Sequence, residues 1–322
     1  MTPEFHVIEY PAGIHCLDTH YHRPRLAACY LVREGDQAAL IDTGVGRTVP
    51  LVLELLQRLG MRREQVRYVI PTHVHLDHAA ASGELMRLFP RARLLVHPAG
   101  ARHLIDPTRL IASATAVYGE EKFRHDFGEI LPVPAERVIA AEDGLTVELN
   151  GRPLRCLDTP GHARHHLCVY DQKSRGLFTG DTFGICYPEL TGPAGPFALL
   201  PTTPVQFDPA AWRASLERLL GLAPERLFLT HFGEIMEPPR IANQLHAWLD
   251  VSECLCEPLD AATPVEEIRQ QLREIYRERI EAARLPLPTD QVLELLTLDL
   301  NLNAQGLAVW LSNRQVARAS AA

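Results

Sequence analysis

The segment 72–78, Thr-His-Val-His-Leu-Asp-His, limits what this chain can fold into, because it carries four metal-ligand side chains directly after an apolar run. The four are His73, His75, Asp77 and His78. Imidazole and carboxylate together select zinc or another first-row metal rather than calcium or magnesium. Side chains of this kind, this close together, are too costly to bury without partners. We therefore predict a metal site that the fold has to assemble here.

The local pattern places this metal-ligand block at the end of a strand. Residues 66–70, Val-Arg-Tyr-Val-Ile, indicate a short buried strand that Pro71 ends, and residues 79–89 are predicted to form a helix. The ligands therefore lie on a turn between strand and helix.

The spacing within the block divides its side chains between two ions. In an extended turn His73 and His75 project to the same side, as alternate residues do, so both can reach one ion. Asp77 and His78 come where the chain bends into the helix, and they suit a second ion.

Four other apolar runs end in, or lead directly into, a polar side chain of the same kind. Open sheets place their functional sites at such strand ends. Two ions need more than four ligands, and these positions supply the candidates: Asp42, His162, Asp181 and His231.

In this order the residues resemble the motifs of the metallo-β-lactamase superfamily, over roughly residues 5–240. The resemblance implies an α/β fold, the four-layer αβ/βα metallo-β-lactamase sandwich, with a helical C-terminal extension. It implies one ion held by His73, His75 and His162, and a second held by Asp77, His78 and His231. Asp181 would bridge both ions, and Asp42 would orient the ligand block through hydrogen bonds.

The bridging aspartate separates branches of this superfamily. The classical zinc β-lactamases lack it, whereas the glyoxalase II, lactonase and ribonuclease Z branches carry it. We therefore expect a glyoxalase II-like or lactonase-like hydrolase with two divalent metal ions, zinc first and iron or manganese as alternatives. A metal-bridging hydroxide would attack an ester, thioester or lactone carbonyl. Asp77 and Asp181 would keep that hydroxide in place.

Three alternatives stay open. A persulfide dioxygenase has similar motifs and holds a single iron with two histidines and an aspartate. A phosphodiesterase or nuclease is disfavoured by the net charge of -8 and by the scattered arginines, since affinity for nucleic acid rests on neutralising phosphates. A non-catalytic metal-binding module is disfavoured because the complete ligand set is present.

Composition bounds the setting of the protein. With 322 residues, 46% of them hydrophobic, the chain can bury a large core. We find no apolar stretch of membrane-span length and no leader pattern, so we expect a cytoplasmic protein with a small-molecule substrate, no membrane and no nucleic-acid partner. A homodimer is left open. Seven scattered cysteines predict reduced thiols, and the use of arginine over lysine indicates a bacterial source.

We divide the chain into a catalytic domain, residues 1–240, and a helical C-terminal extension, residues 241–322. The domain contains a helical insertion near 99–134 and a lid loop near 183–207, since loops of that length are commonly functional. Within this loop Tyr187 is a catalytic candidate that could donate its hydroxyl to a substrate carbonyl. The predicted C-terminal helices span residues 241–254, 265–283, 290–300 and 304–317.

Overall fold

The structure, a computed structural model, describes residues 5–321, apart from the side chains of residues 117–118 and 317–321. Its strands are β1 (Val7–Tyr10), β2 (Ile14–Asp18), β3 (Ala28–Glu34), β4 (Gln37–Ile41), β5 (Val66–Ile70), β6 (Arg93–Val96), β7 (Val138–Ala140), β8 (Thr146–Leu149), β9 (Arg152–Asp158), β10 (Leu167–Asp171), β11 (Gly176–Phe178), β12 (Thr191–Gly192), β13 (Gly195–Pro196), β14 (Arg226–Leu229) and β15 (Gly233–Ile235). Its helices are α1 (Thr48–Arg58), α2 (Leu76–Ala79), α3 (Ser82–Leu88), α4 (Pro98–Ile105), α5 (Thr108–Tyr118), α6 (Glu120–Phe127), α7 (Pro209–Leu220), α8 (Pro238–Cys256), α9 (Val265–Ala283), α10 (Thr289–Leu295) and α11 (Thr297–Ala321).

The chain forms two compact units. The first comprises the residues up to Asp158, together with His165–Gly180 and Pro224–Met236. The second comprises Thr159–Arg164, Asp181–Ala223 and the chain from Glu237 onwards. The predicted domain boundary at residue 240 stays a prediction.

Two sheets build the first unit. One has the strand order β1 to β7, antiparallel from β1 to β4 and parallel from β4 to β7. The other has the order β15-β14-β11-β10-β9-β8, antiparallel except for the parallel pair β11 and β14. Parallel pairs require crossover connections, and these carry helices α1 to α7.

Alternation along the strands gives the first sheet two buried faces. Tyr30 and Val32 of β3 pack in one apolar cluster with Val169 and Phe178 of the second sheet, whereas Leu31 belongs to a separate cluster. That separate cluster adds apolar side chains of α1, α3 and α4 to this opposite face. Successive side chains of a strand point to opposite faces, so one sheet contributes to both clusters. The first unit therefore contains a helix layer and two facing sheets.

The predicted strand at residues 66–70 is confirmed as β5, but the single helix predicted over 79–89 is wrong. Helical structure begins earlier, at Leu76, and is interrupted between α2 and α3. There the backbone N–H of Ala81 donates to the carbonyl of Gly44 at 3.1 Å. A tertiary hydrogen bond thus ends α2, and Asp77 and His78 lie inside a helical turn.

The second unit is mainly helical. Asp208 caps α7, since its carboxylate accepts the N–H of Ala211 at 3.0 Å, and Pro209 occupies the first turn. The predicted break between residues 300 and 304 is wrong, because α11 runs continuously from Thr297. In the described part of the chain, no helix is long and apolar enough to cross a membrane.

Candidate metal centre

Three potential metal ligands, two of them adjacent in sequence, meet in the first unit. Single donor atoms of Asp77, His78 and His231 all lie within 4.8 Å of one another. Oδ2 of Asp77 is 3.6 Å from Nε2 of His78 and 3.4 Å from Nε2 of His231. Both imidazoles are buried, while the carboxylate of Asp77 is 23% exposed, so the group opens toward solvent on the carboxylate side.

The other nitrogen of each imidazole is held by a hydrogen bond. Nδ1 of His78 donates to Oδ2 of Asp42 at 2.9 Å, and Nδ1 of His231 donates to the carbonyl of Leu26 at 2.7 Å. With Nδ1 as the donor, a neutral imidazole presents the lone pair of Nε2. Both lone pairs are thus directed toward Asp77.

Asp42 is itself fixed by two threonines. Its Oδ1 accepts the N–H of Thr72 at 2.7 Å and the Thr72 hydroxyl at 2.9 Å. Its Oδ2 also accepts the hydroxyl of Thr230 at 2.6 Å. Thr72 precedes His73, and Thr230 precedes His231. One buried carboxylate therefore links two ligand-bearing turns, the contact type that the resemblance implied for Asp42.

His73 and His75 also meet within the first unit. Nε2 of His73 lies 2.9 Å from Nδ1 of His75, and the two rings meet edge to face with centroids 4.5 Å apart. His73 is fully buried, and the Thr72 hydroxyl lies 3.2 Å from its Nδ1. The alternate spacing of the two residues has placed their side chains on one side of the turn.

In the second unit, His162 is paired with Asp181. Nε2 of His162 lies 3.3 Å from Oδ2 of Asp181, and Nδ1 donates to the carbonyl of Pro201 at 2.8 Å. Trp212 packs edge-on against the imidazole, and its indole N–H donates to the carbonyl of Thr182 at 2.7 Å. Trp212 thus contacts both His162 and Thr182, the residue that follows Asp181.

The donor chemistry fits divalent metal ions. His78, His231 and His162 each have Nδ1 committed to an oxygen acceptor and Nε2 within 3.6 Å of a carboxylate oxygen. A metal-ligating histidine typically donates its second ring N–H to a carboxylate or a backbone carbonyl, which fixes the ring orientation. These contacts match that arrangement.

Tyr187, and the two histidines His165 and His166 that come shortly after His162, lie close to backbone or to other side chains. Tyr187 is 2% exposed, and its hydroxyl donates to Oδ1 of Asp299 on α11 at 3.1 Å, so its catalytic role stays a prediction. His166 is fully buried, with its ring 4.9 Å from that of His73. Nδ1 of His165 accepts the N–H of Val74 at 3.5 Å.

Sequence reasoning missed the two threonines and the carbonyls that hold the imidazoles. A signal existed for Thr72 and Thr230, because each stands directly before a predicted ligand at the end of a strand. The carbonyls of Leu26 and Pro201 carried no signal, since a backbone acceptor has no side-chain identity.

Comparison with known proteins agrees with this arrangement. Residues 22–231 match the family model described as the Metallo-beta-lactamase superfamily. The chain belongs to this superfamily. The predicted fold class is confirmed, and the protein is a metallo-β-lactamase-superfamily hydrolase.

The sequence identity between this chain and individual relatives is low. The chain is 28% identical over 233 residues to the metallo-beta-lactamase fold-containing protein ST1585 of Sulfurisphaera tokodaii, which covers 71% of this chain and 81% of the relative. The archaeal ST1585 crystal structure has a TM-score of 0.63 at 23% identity, covering 94% of this chain and 97% of that one, which shows a shared fold.

Two further relatives match about half of the chain. The human acyl-coenzyme A thioesterase MBLAC2 is 27% identical over 179 residues, or 50% of this chain and 60% of the relative. A Synechococcus hydroxyacylglutathione hydrolase is 32% identical over 155 residues, or 48% of this chain and 47% of the relative. The chain spans less than two thirds of both proteins.

Proposed function

We propose that the protein is a dinuclear metal-dependent hydrolase that cleaves acyl thioesters, with esters and lactones as related carbonyl substrates. The observation that carries the proposal is the meeting of Asp77, His78 and His231 in the first unit. The same turn also carries His73 and His75, which form a second donor pair. A turn with two donor groups supports two ions rather than one.

The proposed ligand partition follows the motif order of the superfamily. His73 and His75 would hold the first ion together with His162, and Asp77, His78 and His231 would hold the second. Asp181 would bridge them, which its pairing with His162 supports. Zinc suits this imidazole and carboxylate set best, with iron or manganese as the alternatives.

When bound, two ions would supply a hydroxide near neutral pH and polarise the substrate carbonyl. The protein's own residues then have positioning roles. Asp42 and the Leu26 carbonyl hold the second-site imidazoles in one ring orientation. Asp77 and Asp181 would help to keep the nucleophile in place.

The substrate class rests on the relatives. One is described as an acyl-coenzyme A thioesterase and another as a hydroxyacylglutathione hydrolase. We therefore place acyl thioesters of small carriers first. The net charge of -8 disfavours a nucleic-acid substrate.

The test is a substrate panel on protein reconstituted separately with zinc, iron and manganese. Acyl-coenzyme A and acylglutathione thioesters, aryl esters, lactones and a phosphodiester are compared, and oxygen consumption is recorded with glutathione persulfide. We expect thioester hydrolysis to give the highest kcat/KM. Oxygen consumption by the iron form, without hydrolysis, would instead identify the persulfide dioxygenase.

Asp77→Ala tests the number of ions. We expect metal content to fall from about two equivalents to about one and hydrolysis to drop by at least 100-fold, because the second site loses its carboxylate. Asp36→Ala, at an exposed hairpin position, is the control and should match the wild type. Retention of two equivalents in Asp77→Ala would show that the ligand partition is wrong.

A further inference from the structure

Asn303, on the C-terminal helix α11, forms hydrogen bonds with both end residues of the lid-loop segment 200–202. Its Nδ2 donates to the carbonyl of Leu200 at 3.0 Å, and its Oδ1 accepts the N–H of Thr202 at 2.8 Å. Its own backbone carbonyl accepts the Thr202 hydroxyl at 3.0 Å. Nδ2 donates further to the hydroxyl of Tyr276 at 2.8 Å. At 3% exposure, Asn303 thus has its amide oxygen and its amide nitrogen both engaged.

Between Leu200 and Thr202 lies Pro201, whose carbonyl accepts Nδ1–H of His162. Proline has no N–H, so its own nitrogen gives the segment no anchoring hydrogen bond. The direction of the Pro201 carbonyl is therefore set by its neighbours, Leu200 and Thr202. Both neighbours are held by Asn303.

Helix and loop also meet backbone to backbone. A Cβ atom built on Gly306 would lie 1.5 Å from the carbonyl oxygen of Thr202. Only glycine lets α11 approach this closely. The contact with the loop thus has two independent supports, the side chain of Asn303 and the missing side chain of Gly306.

From these contacts we infer that Asn303 is a positioning residue for His162, acting through Pro201. The inference rests on the proposed role of His162 as a metal ligand. By fixing the acceptor for Nδ1–H, Asn303 keeps the proton on Nδ1 and directs Nε2 toward Asp181, 3.3 Å away. The C-terminal helix thereby takes part in the metal centre without contributing a ligand.

Asn303→Asp is the most direct variant. The carboxylate keeps an oxygen to accept the Thr202 N–H, but it replaces the Nδ2 donor with an acceptor that faces the Leu200 carbonyl. Two facing acceptors repel, so we expect segment 200–202 to shift. Asn301→Asp makes the same chemical change two residues away on the same helix and serves as the matched control.

The first measurement uses metal-free protein labelled with ¹⁵N-histidine. In the wild type we expect a slowly exchanging Nδ1–H signal that disappears in His162→Gln and is thereby assigned to His162. Asn303→Asp should weaken or shift this signal, and Asn301→Asp should leave it in place. An unchanged His162 signal in Asn303→Asp would overturn the inference, whatever the enzyme does.

The second measurement is zinc affinity by competition with a chromophoric chelator. Loss of an outer partner of a ligating histidine typically weakens binding about 10- to 100-fold, so we expect at least a 10-fold weaker zinc affinity in Asn303→Asp. Gly306→Ala should weaken affinity in the same direction, because it moves the helix while leaving Asn303 intact. Equal affinity in wild type and both variants would overturn the inference.

Leu307→Ala separates positioning from general destabilisation. Leu307 is fully buried on the same helix, and its truncation removes apolar packing but no hydrogen-bonding group. We expect a lowered Tm with zinc affinity within twofold of the wild type. If Leu307→Ala weakens zinc as much as Asn303→Asp, the role of Asn303 is merely structural. Unchanged metal content in His162→Ala would instead count against the proposed ligand set.

Discussion

Asp42 accepts Nδ1–H of His78 at 2.9 Å across 36 positions of sequence. Both side chains are buried, with exposures of 1% and 0%. A buried carboxylate is costly unless it is fully hydrogen-bonded, and Asp42 meets that condition through Thr72, Thr230 and His78. The pair thus joins the end of β4 to the ligand-bearing turn after β5.

Asp42→Asn should weaken both the second metal site and the fold. The amide can match the shape of the carboxylate, but it has one acceptor oxygen, whereas Thr72 donates to Oδ1 and both His78 and Thr230 donate to Oδ2. We expect metal affinity at this site to fall about 10- to 100-fold and the free energy of unfolding to fall by about 1–3 kcal/mol. Calorimetric metal titration and urea unfolding measure the two effects. Asp36→Asn is the exposed control, and wild-type metal affinity in Asp42→Asn would refute an orienting role.

Gly180→Ala should be far more damaging than Gly60→Ala. Both glycines have positive φ, +48° and +66°, so each substitution costs about 1 kcal/mol in backbone strain. Only at Gly180 is the space occupied, since a Cβ would lie 2.5 Å from Nε2 of His166 and 2.8 Å from Cβ of Thr72. We expect the free energy of unfolding to fall several-fold more in Gly180→Ala than in Gly60→Ala. We also expect Gly180→Ala to lose metal, because Asp181 directly follows Gly180. Equal Tm values for the two variants would contradict this.

The parts of the site that could be predicted from sequence are those that depend on local geometry. His73 and His75 share a side of the turn because they alternate, and strand ends located Asp42, Asp181 and His231. These relations require only a few neighbouring residues.

The parts that could not be predicted depend on tertiary contacts. The interruption after α2 arises because Ala81 donates to Gly44, and no local pattern encodes that bond. The bonds from Asn303 to Leu200 and Thr202 span about a hundred residues of sequence. The sequence predicts a break between residues 300 and 304, whereas Asn303 continues the helix and its amide bonds to a loop that only the folded chain brings near.

The buried pair of Arg152 and Asp171 should make stability depend on acidic pH. Nε and Nη2 of Arg152 donate to the two carboxylate oxygens at 2.8 and 2.5 Å, and the hydroxyl of Ser174 donates to Oδ2. Burial alone would raise the pKa of Asp171, but the hydrogen bonds from Arg152 and Ser174 outweigh it and lower the pKa below the ordinary value of 3.8. Because the pKa of Asp171 is lowered in the folded state, its carboxylate stabilises the protein fully at pH values above the ordinary pKa. This contribution is lost as the pH falls through the folded-state pKa.

Asp171→Asn should therefore cost about 3–5 kcal/mol at pH 7, since it leaves the buried guanidinium without its counter-charge. The difference from the wild type should shrink as the pH is lowered from 5 through 3.8 toward the lowered folded-state pKa. Urea unfolding at a series of pH values measures this, with Glu142→Gln at an exposed position as control. A difference that stays constant with pH would contradict the assignment.

Cysteine reactivity should be confined to one thiol in the folded protein. Cys254 is exposed, whereas the other six cysteines are buried. Burial raises the pKa of the Cys16 and Cys186 thiols to about 12 and that of Cys256 to about 11, so little of the reactive thiolate forms at pH 8. Iodoacetamide followed by mass spectrometry should label one thiol per folded chain and all seven in denaturant. Cys254→Ser should abolish the rapid labelling, and rapid modification of any buried cysteine would show that its surroundings open in solution.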